Sequence, residues 1–306
     1  MALVLNACNP SNTVPSASTG TLPNSLNLLV LGDWGFKGFL HQRPVADQMD
    51  RYAGVVHPKF IISTGDNFYL TGVSSVQDVQ WQQSFELIYT GSHLQIPFKA
   101  VLGNHDYEQV ASAQSEINYT RQSNRWQMPA RYFTESIPID AKTNLRLVYI
   151  DTNPFVEQYR QNSAGYPGLL QQDTKRQLAW IDSVLAHAPE AWKIVVGHHP
   201  IRSVGTDHGD QPELVDQLQP LLTKHGVQVY LCGHSHTLQH LTTGGVTDYI
   251  ISGGGGAPLG GVAPGPRSRF AVAEGGFAVL SVNTDSLRVS FVNAMGDEIY
   301  QMQRGR

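Results

Sequence analysis

The stretch 61-IISTGDNFYLTGV-73 joins a short apolar run to an acid, an amide and two aromatics across a single glycine, Gly65. A turn after a strand needs only one glycine or asparagine, so the crowding of Asp66, Asn67 and Tyr69 at its mouth asks for partners elsewhere in the chain. The same texture occurs on either side, in 26-LNLLVLGD-33 and 97-PFKAVLGNHD-106. Between these runs, 41-HQRPVADQMDRYAGVV-56 places Val45, Met49, Tyr52 and Ala53 on one helical face, and 76-VQDVQWQQSFELIY-89 reads as a second helix. Strand, helix, strand, helix, strand predicts an α/β protein whose mainly parallel sheet is covered on both sides.

Outward from that unit, 107–145 has weak periodicity and predicts a long loop with short strands. Then 145-LRLVYIDTN-153 resumes the sheet, and 173-DTKRQLAWIDSVLAHA-188 is an amphipathic helix with Leu178, Ile181 and Leu185 in register. Two further strands, 192-WKIVVGHHP-200 and 227-VQVYLCGHSH-236, flank a helix over 213-ELVDQLQPLLTKHG-226 that stops at a glycine. Past His236 the chain alternates between apolar runs and turn glycines, the pattern of antiparallel strands. No repeat or linker interrupts 26–306, which reads as one domain with two packed sheets. Residues 1–25, rich in Ser, Thr, Pro and Asn, read as a mobile leader. Within it, 3-LVLNAC-8 is similar to the end of a lipoprotein signal whose cysteine, here Cys8, would be acylated. The segment is short for a complete signal, so a truncated signal and a plain tail both stay open.

Of 306 residues, 21 are basic and 25 acidic, with no polybasic run, so a nucleic-acid groove is not expected. No apolar run approaches the ~20 residues that span a bilayer. With Cys8 and Cys232 as the only cysteines, neither a disulfide framework nor a thiolate metal site is expected.

Ligands of open α/β sheets gather at the carboxyl ends of strands. There the chain puts Asp33 (GDWG), Asp66 (GDNFY), Asn104 and His105 (GNHD), His198 (VVGHHP), and His234 and His236 (GHSH). Each has an ordinary reading alone: an aspartate after a strand is commonly a helix cap, and a glycine is a turn punctuator. Five strand ends delivering hard oxygens and imidazoles to one edge is a coincidence those readings must explain together. Carboxylate, amide and imidazole suit Fe, Zn or Mn. Seven donors, counting the Tyr69 phenol, exceed one coordination sphere and suggest two ions sharing a carboxylate.

Taken in order, GDWG, GDNFY, GNHD, VVGH and GHSH are similar to the purple acid phosphatase family of the calcineurin-like metallophosphoesterases. The small, single-domain, tartrate-resistant type is especially close, in 60-FIISTGDNFYLTGV-73 and 229-VYLCGHSHTLQ-239 and with spacing kept from Leu26 to Gly254. The resemblance implies two packed mixed β-sheets flanked by helices, a four-layer αββα metallophosphatase domain with the metals at the sheet edge. It implies that Asp33, Tyr69 and His236 hold Fe(III), that Asn104, His198 and His234 hold a divalent Fe, Zn or Mn, and that Asp66 bridges them. It further implies phosphate-monoester hydrolysis by a bridging or terminal hydroxide, with inorganic phosphate as product and an acid optimum. A free phenol titrates near ~10, so only a strongly polarising ion keeps Tyr69 deprotonated in acid; the ferric phenolate gives the family its colour.

By the same resemblance, His105 binds substrate or protonates the leaving group, and Asp207 and His208 line the pocket; Asp106 reads as a support for His105 rather than a metal ligand. The loop before that pair is one residue longer than the family pattern. His199 stands where animal members place an aromatic residue, and either adds a donor or packs. No cysteine pair replaces the disulfide of animal relatives, and 155-FVEQYRQNSAGYPG-168 does not match their inhibitory loop, so proteolytic activation is not carried over. His41, His57, His93, His187, His225 and His240 read as surface or core-edge residues without partners. Export outside the cytoplasm, as a secreted, periplasmic or lipid-anchored protein, is the expected location.

Two rival functions remain. A diesterase or nucleotide hydrolase of the wider superfamily generally carries Asp-X-His at the first strand, whereas here Gly35 follows Asp33 by two and Tyr69 is present. A non-catalytic phosphate-binding or redox-active iron protein would have no use for His105.

Overall fold

The computed structural model describes residues 20–306; the expected leader lies outside them up to residue 19, Cys8 included. In chain order the strands are β1 (Leu26–Leu31), β2 (Ile61–Ser63), β3 (Phe98–Ala100), β4 (Trp126–Gln127), β5 (Phe133–Pro138), β6 (Asn144–Tyr149) and β7 (Trp192–Val196). They continue with β8 (Val229–Cys232), β9 (Leu238–Thr242), β10 (Asp248–Ser252), β11 (Ser268–Val272), β12 (Gly276–Val282), β13 (Ser286–Asn293) and β14 (Glu298–Gly305).

Two seven-stranded mixed sheets result, ordered β14-β13-β12-β1-β2-β3-β4 and β11-β9-β10-β8-β7-β6-β5. The expected parallel strands are thus divided: β1, β2, β3 and β4 run parallel in one sheet, and β6, β7, β8 and β10 in the other. Antiparallel β12 closes on β1, from Leu26 opposite Val282 to Val30 opposite Ala278. Leu22, just before β1, is buried, and its N–H donates to Ser281 Oγ at 2.8 Å.

Alternation along each strand assigns side chains to layers. Leu28 and Val30 of β1 join Ile194, Val196, Leu231 and Leu280 in the core between the sheets. Leu29 and Leu31 face outward onto helix α1 (Gln42–Val56), where Val45, Met49, Tyr52 and Ala53 are buried as the spacing predicts. On the opposite outer face, Val195, Tyr230 and Cys232 meet the helices that flank β7 and β8. Strands covered on both faces need continuous apolar runs, which is what these segments contain. At about 1.5–3 kcal/mol for each fully buried large aliphatic side chain, these layers dominate stability.

Three helical expectations change. The chain at 76–89 forms only a π-helical segment, Trp81–Glu86. Just ahead of it the Asp78 carboxylate accepts from Ser74 N–H (2.7 Å), Ser74 Oγ (2.6 Å) and Gln80 N–H (2.9 Å), local bonds that compete with a regular helix. Trp81 then stacks on Tyr119 with ring centroids 3.5 Å apart. The middle stretch contains a helix the periodicity missed, α2 (Ser112–Tyr119). After the short α3 (Glu157–Gln161), α4 (Thr174–Ala186) forms as expected, capped by Asp173 accepting from Arg176 N–H at 2.9 Å. The single helix expected over 213–226 is two, α5 (Pro212–Gln217) and α6 (Gln219–Lys224). Pro220 lacks the N–H that would continue the first into the second. Among the described residues no helix is long and apolar enough to cross a membrane.

Candidate metal centre

The loops leaving β1 and β2 run side by side, with Asp33 N–H donating to Gly65 O at 3.0 Å and Tyr69 N–H to Gly35 O at 3.0 Å. Three residues at these strand ends adopt left-handed backbone: Asp33 (φ 59°), Asp66 (φ 51°) and His234 (φ 66°). Such conformations cost about 1–3 kcal/mol each outside glycine and persist where the surroundings impose them. Here they turn the side chains back over the strand ends. The preceding glycines allow the close approach: a Cβ on Gly233 would sit 2.3 Å from Asp33 Oδ2, and one on Gly103 would sit 2.1 Å from Asp66 Oδ1.

All seven expected ligands converge, in two groups. Tyr69 OH lies 2.8 Å from Asp66 Oδ2, 3.1 Å from His236 Nε2 and 3.4 Å from Asp33 Oδ1. In the second group Asn104 Oδ1 lies 3.1 Å from His198 Nε2 and 3.0 Å from His234 Nδ1, and the two ring nitrogens are 3.2 Å apart. Asp66 stands between them, with Oδ1 3.5 Å from His198 Nε2.

The donor chemistry fits a pair of cations. Backbone carbonyls accept only, so His198 Nδ1 must donate to Thr64 O (2.9 Å) and His236 Nδ1 to Pro258 O (2.7 Å). Neutral rings held this way turn unprotonated Nε2 lone pairs into the cluster, the arrangement in which imidazoles ligate metals. Burial depresses the pKa of all three rings, His234 furthest, which favours the neutral form. Burial, together with Asp66, pushes Asp33 well above the carboxylate range; burial and the two carboxylates raise the Tyr69 phenol. Lone pairs and acids crowded out of water at one point call for positive charge.

Around the cluster, His105 Nδ1 donates to Leu70 O at 2.7 Å and lies 3.1 Å from Glu108 Oε1, and its ring packs 4.5 Å from that of Tyr69. Burial opposes its charged form but is outweighed by Asp66, Glu108 and the Leu70 carbonyl, so its pKa is raised. Asp106 is not its hydrogen-bonding support. It accepts instead from the N–H groups of Gly103 (2.8 Å), Asn67 (3.0 Å) and Phe68 (3.2 Å), tying two ligand loops together. Its pKa is pushed up to about 7 by burial and Asp66.

His208 is exposed, its ring 4.2 Å from that of His234. Asp207 is exposed and accepts from Thr206 Oγ1 at 3.4 Å, with no hydrogen bond to the seven donors among the described residues. His199 is buried 4.4 Å from the His234 ring; Nδ1 meets Thr152 Oγ1 at 2.8 Å, and Nε2 has no partner among the described residues. Of the histidines expected to lack partners, His240 is held by Tyr300 (2.8 Å) and Asp248 (3.0 Å), and His225 by Asp182 (2.6 Å). The carbonyls of Thr64, Leu70 and Pro258 that orient the rings leave no signature in sequence, because any residue has one. Glu108 follows His105 by three, a spacing that the sequence itself carries.

A family model of calcineurin-like phosphoesterases matches residues 26–238. Purple acid phosphatase 3 of Arabidopsis thaliana is 34% identical over 302 residues, covering 95% of this chain and 79% of its own. Tartrate-resistant acid phosphatase type 5 of Homo sapiens is 30% identical, covering 96% of this chain and 94% of its own. Among solved structures, GAP50, described as the anchor in the inner membrane complex of Plasmodium, superposes with a TM-score of 0.78. It is 23% identical over 92% of this chain and 89% of its own, a likeness of fold alone.

Proposed function

The chain belongs to the purple acid phosphatases within the calcineurin-like phosphoesterases, and from that footing we propose that it hydrolyses phosphate monoesters in acid, releasing inorganic phosphate. Asp33, Tyr69 and His236 would hold a ferric ion, Asn104, His198 and His234 a divalent Fe, Zn or Mn, and Asp66 would bridge them. When bound, the pair supplies positive charge for the phosphoryl oxygens and an acidified water. The observation that carries this reading is the Asp66 carboxylate, one oxygen 2.8 Å from Tyr69 OH and the other 3.5 Å from His198 Nε2, between two sets of donors.

The protein's own part is orientation and proton delivery. His105, with Nδ1 held by Leu70 O, has no partner on its other nitrogen among the described residues, and that nitrogen would carry a proton to the departing alkoxide. An imidazole of ordinary basicity already carries that proton in acid. His208, beside the His234 ring, and Asp207 would orient the phosphate from the exposed side. Export from the cytoplasm, with or without a lipid on Cys8, is part of the proposal and rests on 3-LVLNAC-8.

The deciding experiment combines metal analysis and a visible spectrum with turnover of a monoester and a diester. Two ions per chain, a visible band and monoester preference are expected. Diester preference would favour the nucleotide-hydrolase class, and bound phosphate without turnover would favour a binding protein.

A further inference from the structure

We propose that Glu116, on α2, is a positioning residue for the metal centre, setting the spacing of the loops that carry Asp66 and Asn104; this rests on the two-ion reading above. Helix α2 (Ser112–Tyr119) supplies none of the seven donors, yet it grips the loop after β2 at two points. Ser112 Oγ accepts from Val73 N–H at 3.0 Å, and Glu116 Oε2 accepts from Asn67 Nδ2 at 3.0 Å. Asn67 directly follows Asp66. The helix is fixed from behind, where the Trp126 indole N–H donates to Glu116 O at 2.9 Å.

Hydrogens are scarce at this point. The Asn67 amide has two, and three acceptors surround its nitrogen: Val101 O at 2.9 Å, and Asp106 Oδ2 and Glu116 Oε2 at 3.0 Å each. Glu116, Asp106 and Asn67 are all fully buried, and no lysine or arginine bonds to either acid among the described residues. Two neighbouring carboxylates out of water do not both stay charged. Asp106 accepts three backbone N–H groups, whereas Glu116 accepts from Asn67 and, at 3.4 Å, from Ser112 Oγ. The proton therefore sits on Glu116, whose pKa burial and Asp106 push well above the carboxylate range.

Held this way, Glu116 donates to Asp106 while accepting from Asn67. Asp106 gathers the N–H groups of Gly103, Asn67 and Phe68, so Glu116 braces the point where the two ligand loops meet. Asp66 and Asn104 both serve the divalent ion in the reading above, and their spacing decides how tightly it is held. Groups that orient ligands from behind are worth about 10–100-fold in metal affinity.

The test is a calorimetric zinc titration of the iron-loaded protein stripped of its divalent ion, with Tm of the metal-free protein measured alongside. Glu116→Gln offers Asn67 an acceptor and Asp106 an N–H, as the protonated acid does, and should hold zinc as tightly as the wild type. Glu116→Met keeps the volume, removes both bonds and should weaken zinc by about 10–100-fold. Glu116→Asp, a milder change should the methionine variant not fold, draws the acid back by one methylene and should weaken zinc several-fold. A role in packing alone would lower the metal-free Tm and leave the zinc affinity of the folded protein where it was. Wild-type zinc affinity in the methionine or aspartate variant, or a loss in Glu116→Gln as large as in Glu116→Met, overturns the assignment and leaves the phosphatase reading standing. A wild-type protein that binds neither iron nor zinc sinks both.

Discussion

Asp66 combines a backbone φ of 51° with a carboxylate that meets donors on both sides. Aspartate tolerates the left-handed region better than most residues because its short polar side chain bonds locally. Tyr69, three residues on, has its phenol held against that carboxylate and raised in pKa by burial. If a ferric phenolate forms here, Tyr69→Phe abolishes the visible band while metal analysis still finds two ions; a band that survives assigns the colour elsewhere. His105 is distinct because no hydrogen bond among the described residues joins its ring to the seven donors, whereas His198 and His236, likewise held by backbone carbonyls, reach them through Nε2. His105→Ala should therefore lower kcat by ~10²–10⁴, the range of general acid catalysis, without loss of metal. Steady-state kinetics on the loaded protein decides, and unchanged kcat removes the proton donor.

At the scale of elements, Asp210 organises the loop that carries Asp207 and His208. Its carboxylate accepts from Ser203 N–H at 3.0 Å, Arg202 Nη1 at 2.7 Å and Arg267 Nη1 at 2.7 Å. Burial alone would raise its pKa, but these bonds, the one from Arg267 largest, hold it below the ordinary value. A depressed folded pKa gives stability that is complete above the unfolded pKa, near ~4, and lost as pH falls through the folded value. Asp210→Asn should flatten the pH dependence of the urea midpoint below about pH 4, an effect kept modest by the partial exposure of the cluster. Helix α4 offers a simpler case. Asp173→Ala removes the cap on Arg176 N–H and should cost about 0.5–2 kcal/mol in chemical denaturation.

Across the whole molecule, the site stitches two sheets together, since Asp33, Asp66 and Asn104 follow strands of one sheet and His198, His234 and His236 follow strands of the other. Ions bound there stabilise the folded state by mass action, about 2.7 kcal/mol at a hundredfold excess over Kd. Chelation should lower Tm measurably, and restoring iron and zinc should raise it again; an unchanged Tm would show that no ion couples the sheets. The strands were legible because runs such as 26-LNLLVL-31 are apolar on both faces, and the donors were legible because each closes such a run. The segment at 76–89 was not, because the stacking of Trp81 on Tyr119 and the local bonds of Asp78 override its helical spacing. The order of residues thus settled which side chains stand at strand ends, since alternation and glycine placement are local properties. Which sheet each strand joins and which nitrogen of His198 faces the cluster were decided only by contacts between distant segments, such as Thr64 O on His198, that no local pattern encodes.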